Sequence, residues 1–500
     1  MRLFRPAEDD WRAIQIRARL RGALCAAGML LVTALAGWLI FTWGVRPTRS
    51  DIHARTLLEP KRPAPFVPPY PIDPVVIAEI DMAKVHRELL PAWVMTLQHS
   101  PHTLGYWDRE RAFRVLREQA GRDPNLGLLL DRLQEWLLQG AYEFGGQIRE
   151  LVKGWNEYMA RAGVPFRIEY HIQKTAHGPE LRVRTYRVIA DIAVAIDRSS
   201  YRIRLLSRED RTNLVEGFLG QTSVERDAAL VVTDRVIDFA IERLWPLFDP
   251  DGEVMPSEND PALVGKLRAE ALSALGASAV DRLATSSAVH REIETEIGKL
   301  RQRRGCGSTV VVPNVPWDGL SDRALGMIDS VAKKNEARRC PRLTASDAER
   351  LVTMSKRLRD DPELEQALGR LASWLARAVI AHEARHLADD RDGGLSCPGC
   401  PQSMSYAVRA EVSAYLASFA AEGLGHVALM QACGVDPDRK EAHSAALSFL
   451  MPRLLPIGCG GPMPGDFYEN ARALQRELFG RDRRIALPEG LPEALPLRRD

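Results

Sequence analysis

Residues 378–390 read AVIAHEARHLADD, which sets His382, Glu383 and His386 in the order H-E-x-x-H. Residues four apart on a helix stand one above the other, so both imidazoles can face a single ion. Glu383 lies one residue round from His382, close enough to reach a water on that ion. Neutral imidazole is a good zinc ligand, and a catalytic zinc needs a third protein ligand and an open position for water. The flanking sequence reads as one amphipathic helix from Pro362 to Asp390, with Leu364, Leu368, Leu371, Leu375 and Val379 on its apolar stripe. His382 and His386 continue that stripe. Pro362 sits at the start, and Gly393 and Gly394 supply a stop. A lone histidine on such a face is usually a hydrogen-bonded core residue; two at this spacing around a glutamate need two such coincidences.

A third ligand should be a carboxylate or a histidine on a neighbouring element. The next helical pattern is SMSYAVRAEVSAYLASFAAEG (403–423), whose stripe runs through Met404, Ala407 or Val408, Tyr415 and Phe419. Glu411 sits on that stripe. A carboxylate facing a core is costly unless it is paired or bound to metal. A salt bridge to an arginine at the core edge is the plain alternative, and metal ligation accounts for the position better.

With these residues the sequence resembles the gluzincin metallopeptidases, the thermolysin-like group, whose signature is an HExxH helix and a zinc-binding glutamate on a following helix. The pattern falls on His382, Glu383, His386 and Glu411, with 24 residues between His386 and Glu411. The likeness covers only 382–415. Four positions after the ligand glutamate the family often has an acidic residue; this chain has Tyr415. Asp389 or Asp390 could then orient a ligand imidazole, since metal-bound imidazoles normally donate their other N–H to a carboxylate or carbonyl. No H-x-x-G-x-x-H continuation follows His386, which sets the metzincins aside. The resemblance implies zinc-dependent hydrolysis of a protein or peptide substrate. Glu383 would take a proton from water and pass it to the leaving amine. Tyr406, Tyr415, His426, His443 and Tyr468 are candidates for a further donor to the carbonyl oxygen. STVVV (308–312) is a candidate edge strand for an extended peptide.

Elsewhere, Gly22 to Val45 carries no charge, and 24 residues of helix rise about 36 Å, enough to cross a hydrocarbon layer of about 30 Å. Trp38 and Trp43 lie toward its far end, as an interfacial belt would have them. Arginines flank both ends. A short Arg-rich tail (1–21) is hard to translocate, however, whereas a long domain crosses largely regardless of charge. Six of the seven cysteines (Cys306, Cys340, Cys397, Cys400, Cys433, Cys459) follow the span, an even number suited to an oxidising compartment. The expected topology is a single-pass protein with its N-terminus cytoplasmic and its main body extracytoplasmic, periplasmic or extracellular. Cleavage after Ala36 would make the span a signal peptide, but apolar residues continue past that site. Six cysteines allow 15 pairings, and Cys397-Pro398-Gly399-Cys400 could be a structural disulfide, a redox pair or half of a zinc site with Cys433 and Cys459.

A Pro-rich linker (46–74) with seven prolines in 59–74 reads as a semi-rigid spacer. The period is helical over 75–165. It then alternates in FRIEYHIQ (166–173), ELRVRTYRVIADIAVAI (180–196) and YRIRLL (201–206), which predicts a small antiparallel sheet within an α+β region (166–300). A run at 228–248 could be a strand passing into a helix. A zincin-like domain (301–480) and a disordered tail (481–500) complete a mainly helical α+β protein. The 500 residues carry 68 Lys plus Arg against 66 Asp plus Glu, a formal charge of +2. That balance gives no whole-protein field, and no basic-aromatic surface points to nucleic acid. The rival reading is a catalytically inactive zincin-like envelope scaffold or binding protein; a redox protein built on Cys397 and Cys400 comes third.

Overall fold

Where alternation is strongest the chain does form strands. β1 (Phe166–Thr175), β2 (Gly178–Ile196) and β3 (Ser199–Arg208) are consecutive and antiparallel. β1 lies in register with the first half of β2 (Ile172 opposite Leu181), and β3 with the second half (Ile192 opposite Ile203). Asp197 turns the chain between β2 and β3 with φ of 54°, a left-handed conformation that Asp tolerates better than most residues. β4 (Gly220–Thr222) and β5 (Ala229–Val232) extend the sheet in the order β1-β2-β3-β5-β4, and β6 (Ile485–Ala486) pairs with the end of β2. β5 runs parallel to β3, so the sheet is mixed rather than antiparallel. A parallel pair needs a crossover connection, here 209–228, and nothing in the local pattern announces it.

This computed structural model describes residues 66–97, 106–138, 145–175, 178–210, 219–222, 228–251, 261–308, 312, 314–391, 395–435, 441–455, 459, 465–481, 485–487 and 491–497. The expected tail (1–21), span (22–45) and the linker up to 65 lie outside the described residues. Among those described, no helix is long and apolar enough to cross a membrane.

The expected helical region forms α1 (Pro74–Glu79), a π-helical turn at Val85–Leu89, α2 (Leu90–Leu97), α3 (Tyr106–Ala120), α4 (Pro124–Leu138) and α5 (Gly145–Arg161). Their stripes share one core with β1 and the first half of β2, built on Leu90, Trp93, Leu130, Trp155, Phe166 and Val183. His86 is its sealed polar centre: Nδ1 bonds the Met82 carbonyl at 2.8 Å, and Nε2 accepts the Trp155 indole N–H at 3.2 Å.

A second core runs from Val194 to Leu495. It is made by α6 (Thr233–Phe239), α7 (Pro261–Leu275), α8 (Ala277–Gln302), α9 (Asp322–Asn335), α10 (Ala345–Arg359), α11 (Pro362–Arg391), α12 (Tyr406–Phe419), α13 (Gly425–Cys433), α14 (Ala442–Leu454) and α15 (Phe467–Phe479). α7 and α8 share this core with α11 through Leu267, Leu283 and Ile293, so no separate core begins near residue 300. The described part of the tail is not free either. Leu495 is buried and its N–H bonds the Gly369 carbonyl at 3.0 Å, while Ser373 donates to the Pro492 carbonyl at 2.5 Å. The expectation of disorder over 481–500 therefore fails for 485–487 and 491–497. Its proline-rich composition hides a buried apolar anchor, Leu495, whose backbone passes where Gly369 has no side chain.

α11 is buried on nearly every side from Leu364 to Asp389, with α8, α12 and β5 among its neighbours. A helix buried all round needs apolar residues all round. Its buried polar residues, His382, Glu383, Arg385 and Asp389 among them, are the ones that need explaining.

Candidate metal centre

α11 starts as its sequence predicts: Asp361 Oδ1 accepts the N–H groups of Glu363 and Leu364, each at 3.1 Å, with Pro362 where no N–H is needed. Near its far end His382 Nε2 and His386 Nε2 stand 3.2 Å apart. α12 begins at Ser405, whose Oγ accepts the Val408 N–H at 3.3 Å. Glu411 then points at both imidazoles, Oε2 3.3 Å from His382 Nε2 and Oε1 3.5 Å from His386 Nε2. The three predicted ligands thus form one group that could hold a metal ion. The fit can be tested on distances. Ligand atoms around a tetrahedral ion with bonds of 2.0–2.1 Å are about 3.3 Å apart. The two imidazole nitrogens are 3.2 Å apart, which suits such an ion, and Glu411 offers a different oxygen to each of them, so that one ligand atom from each residue lies within 4.8 Å of the other two.

The charges follow the geometry. Burial lowers the His382 pKa to about 4 and raises that of Glu383 to about 7. Burial also works against charge on His386, yet the Glu411 and Glu383 carboxylates carry its pKa up to about 9. Glu411 is held well below the usual carboxylate range: desolvation opposes its ionisation, but three imidazoles bond to it. One carboxylate thus gathers positive partners in a dry site, and metal binding at such a place displaces protons.

The third imidazole belongs to His443, on α14. Its Nδ1 is 2.9 Å from Glu411 Oε2 and 3.2 Å from the Tyr415 hydroxyl, and the bond to Glu411 raises its pKa. Its side chain is 46% exposed, so it can also meet a ligand from solvent. Tyr415 packs its ring edge-on against His382, centroids 4.8 Å apart. Two of the five candidate donors are therefore at the site. The other three are elsewhere. Tyr406 donates to Asp390 at 3.1 Å. His426 and Tyr468 gather round Glu270, which also accepts the His426 and Val427 N–H groups at the start of α13. Asp389 pairs with Arg385 at 3.1 Å.

Glu383 lies beside the sheet rather than in the ligand triangle. Its side chain rests on Gly220 of β4, so closely that a Cβ there would stand 2.5 Å from Cγ and 2.8 Å from Oε1. β4 is the edge strand next to the site. Three residues of the expected edge, 309–311, lie outside the described residues. The sequence reading missed Gly220 altogether, because a three-residue strand has no period to detect. It also passed over Arg385, an arginine in an apolar stretch, which was a visible signal.

The six described cysteines stand in three disulfide pairs, Cys306–Cys340, Cys397–Cys400 and Cys433–Cys459, which separates Cys397 and Cys400 from the other thiols considered for a zinc site. The Cys397–Cys400 loop joins the two ligand helices. It docks on the end of α15, where Gly399 donates to the Leu478 carbonyl at 3.1 Å and has no room for a side chain. Comparison with known protein families, with curated proteins and with solved structures finds no match for this chain.

Proposed function

We propose that this protein is a zinc-dependent peptidase of the gluzincin kind, with His382, His386 and Glu411 as the metal ligands and Glu383 as the general base. It is anchored by residues 22–45, with its body extracytoplasmic. The observation that carries the reading is the convergence of His382, His386 and Glu411 on one point, with the buried Glu383 carboxylate beside it. Bound zinc supplies Lewis acidity that brings the ionisation of water toward neutral pH. The protein does the rest. Glu383, with its pKa near 7, suits both directions of proton traffic: it takes a proton from the attacking water and returns it to the leaving amine. His443 and Tyr415 are placed to donate to a carbonyl oxygen as charge develops on it. An extended peptide adding to β4, the last strand of the sheet among the described residues, would pass Glu383, with Gly220 leaving it room.

The test is elemental analysis of the purified full chain beside His382→Ala, Glu411→Ala and Glu383→Gln. One zinc per chain is expected, absent from the first two variants and retained in the third. Peptide hydrolysis by Glu383→Gln should fall by about 10²–10⁴-fold. A folded wild type without zinc, or undiminished hydrolysis by Glu383→Gln, would overturn the proposal.

A second reading has its own observation. His443 is close enough to Glu411 to serve as a fourth protein ligand, and four protein ligands close a zinc site. The protein would then be a zincin-like scaffold. His443→Ala separates the two: a donor leaves metal content intact and lowers hydrolysis, whereas a fourth ligand weakens metal binding.

A further inference from the structure

Arg385 lies inside the H-E-x-x-H motif and is as buried as the residues round it. Its side chain is 3% exposed and that of its partner Asp389 is 2% exposed, with Nη2 3.1 Å from Asp389 Oδ1. Taking a guanidinium and a carboxylate out of water is expensive, and well-packed apolar residues of similar volume commonly serve stability as well or better. The surrounding helix shows the cheaper solution at Leu387 and Ala388. Something other than stability therefore has to account for the pair.

Its direction supplies the account. At 100° per residue, Arg385 and Asp389 lie about 60° and about 20° to one side of His382, while His386 lies about 40° to the other. The ion pair thus runs alongside the imidazole pair. From it the Arg385 Nε–H reaches across to α12 and donates to Ser413 Oγ at 2.6 Å. Ser413 is fully buried and two residues beyond Glu411. Apolar contacts let one helix slide and roll on another, whereas a short hydrogen bond from a fixed planar fork does not. One residue of slip on α12 would move Glu411 by about 1.5 Å and turn it by about 100°, while metal–ligand distances tolerate about 0.2 Å.

We propose that Arg385, held by Asp389 and bonded to Ser413, is a positioning residue that sets the approach of Glu411 to the His382–His386 pair. The inference rests on the reading that those three residues hold a metal ion.

Two variants of the full chain test it. Ser413→Ala removes one oxygen and leaves the ion pair. Arg385→Met with Asp389→Leu removes both charges together, so neither is stranded. Each is measured for zinc affinity by competition with a chromophoric chelator and for the visible absorption of the cobalt(II) form, on protein shown folded by near-ultraviolet circular dichroism. Both variants are expected to bind zinc about 10–100-fold more weakly, with an altered cobalt spectrum. A structural role alone would shift Tm and leave both readouts where they were. Zinc affinity within twofold of wild type in both variants, with the same cobalt spectrum, overturns the positioning role and leaves the metal site standing. Failure of the wild type to bind zinc overturns both.

Discussion

His86 makes the N-terminal core sensitive to acid, and the size of the effect follows from its contacts. The ring is fully buried, and both nitrogens are already committed. With Nδ1–H donating to the Met82 carbonyl, Nε2 must accept from the Trp155 indole, which only the neutral tautomer can do. A second proton would set N–H against N–H in a dry site, on a ring stacked against Phe166 with centroids 4.7 Å apart. Burial accordingly lowers the His86 pKa from 6.5 to about 4, more than the Met82 bond raises it. Because the folded pKa is the lower one, the unfolded chain binds more protons between these values. The stability His86 contributes is complete above pH 6.5 and is lost as pH falls toward 4. With one pKa unit worth about 1.4 kcal/mol, the loss between pH 7 and pH 5 is about 2 kcal/mol, rising to about 3 kcal/mol below the folded pKa.

The assay is urea unfolding followed by tryptophan fluorescence, to which Trp93 and Trp155 of this core contribute beside Trp245, Trp317 and Trp374 of the other, from pH 7.5 to pH 5. Running His86→Gln in parallel subtracts every other titrating group, the cluster round Glu411 included. Glutamine can both donate and accept but gains no proton in this range, so the variant should be less stable at pH 7.5 and lose the extra slope. The same pH dependence in both proteins would refute the reasoning, since it would mean that His86 takes up a proton as readily in the folded core as in the unfolded chain.

On the proposed function, Gly220→Ala should lower hydrolysis while leaving zinc bound. The added methyl drives the flexible Glu383 side chain back by about 1 Å, a misplacement that costs about 10²-fold in rate. Zinc content should be normal, and wild-type turnover in this variant would show that Glu383 does not need its place on β4. Replacing Cys433 and Cys459 by Ala opens a loop of 26 residues and should lower stability by about 3.5 kcal/mol. The same change at Cys397 and Cys400, three residues apart, should cost about half that. Equal losses on denaturant titration would mean that loop docking, not chain entropy, dominates at the shorter pair.

What the sequence disclosed about the site is what a single helix encodes. His382 and His386 share a face because they are four residues apart, and Glu411 betrayed itself as a carboxylate on an apolar stripe. Both inferences need only the period of the element that carries them. The caps at Asp361 and Ser405 are equally local, and so are the three long strands, whose alternation comes from the face that packs into a core, although Arg167, Glu169 and Arg204 on the other side are buried too. The mixed sheet was not legible, because β5 lies beside β3 only through the 209–228 crossover. Neither was β4, whose three residues become a strand by pairing with β5.

His443 and His426 mark where that kind of reading stops. Both are histidines near the start of a helix, and as sequence they are equal candidates to assist at the metal site. Their fates are decided by which carboxylate the packing delivers. The Phe419–Phe467 contact between α12 and α15 and the docking of α7 bring Glu270 to the start of α13, and there it takes His426, two backbone N–H groups and Tyr468 together. His443 meets Glu411 instead because α14 packs on α12. A buried carboxylate must collect donors wherever it lies. Glu270 spends its accepting capacity on starting a helix, which makes it structural. Glu411 spends its own on three imidazoles, two of them four residues apart on one helix, and that gathering is what could hold a metal ion.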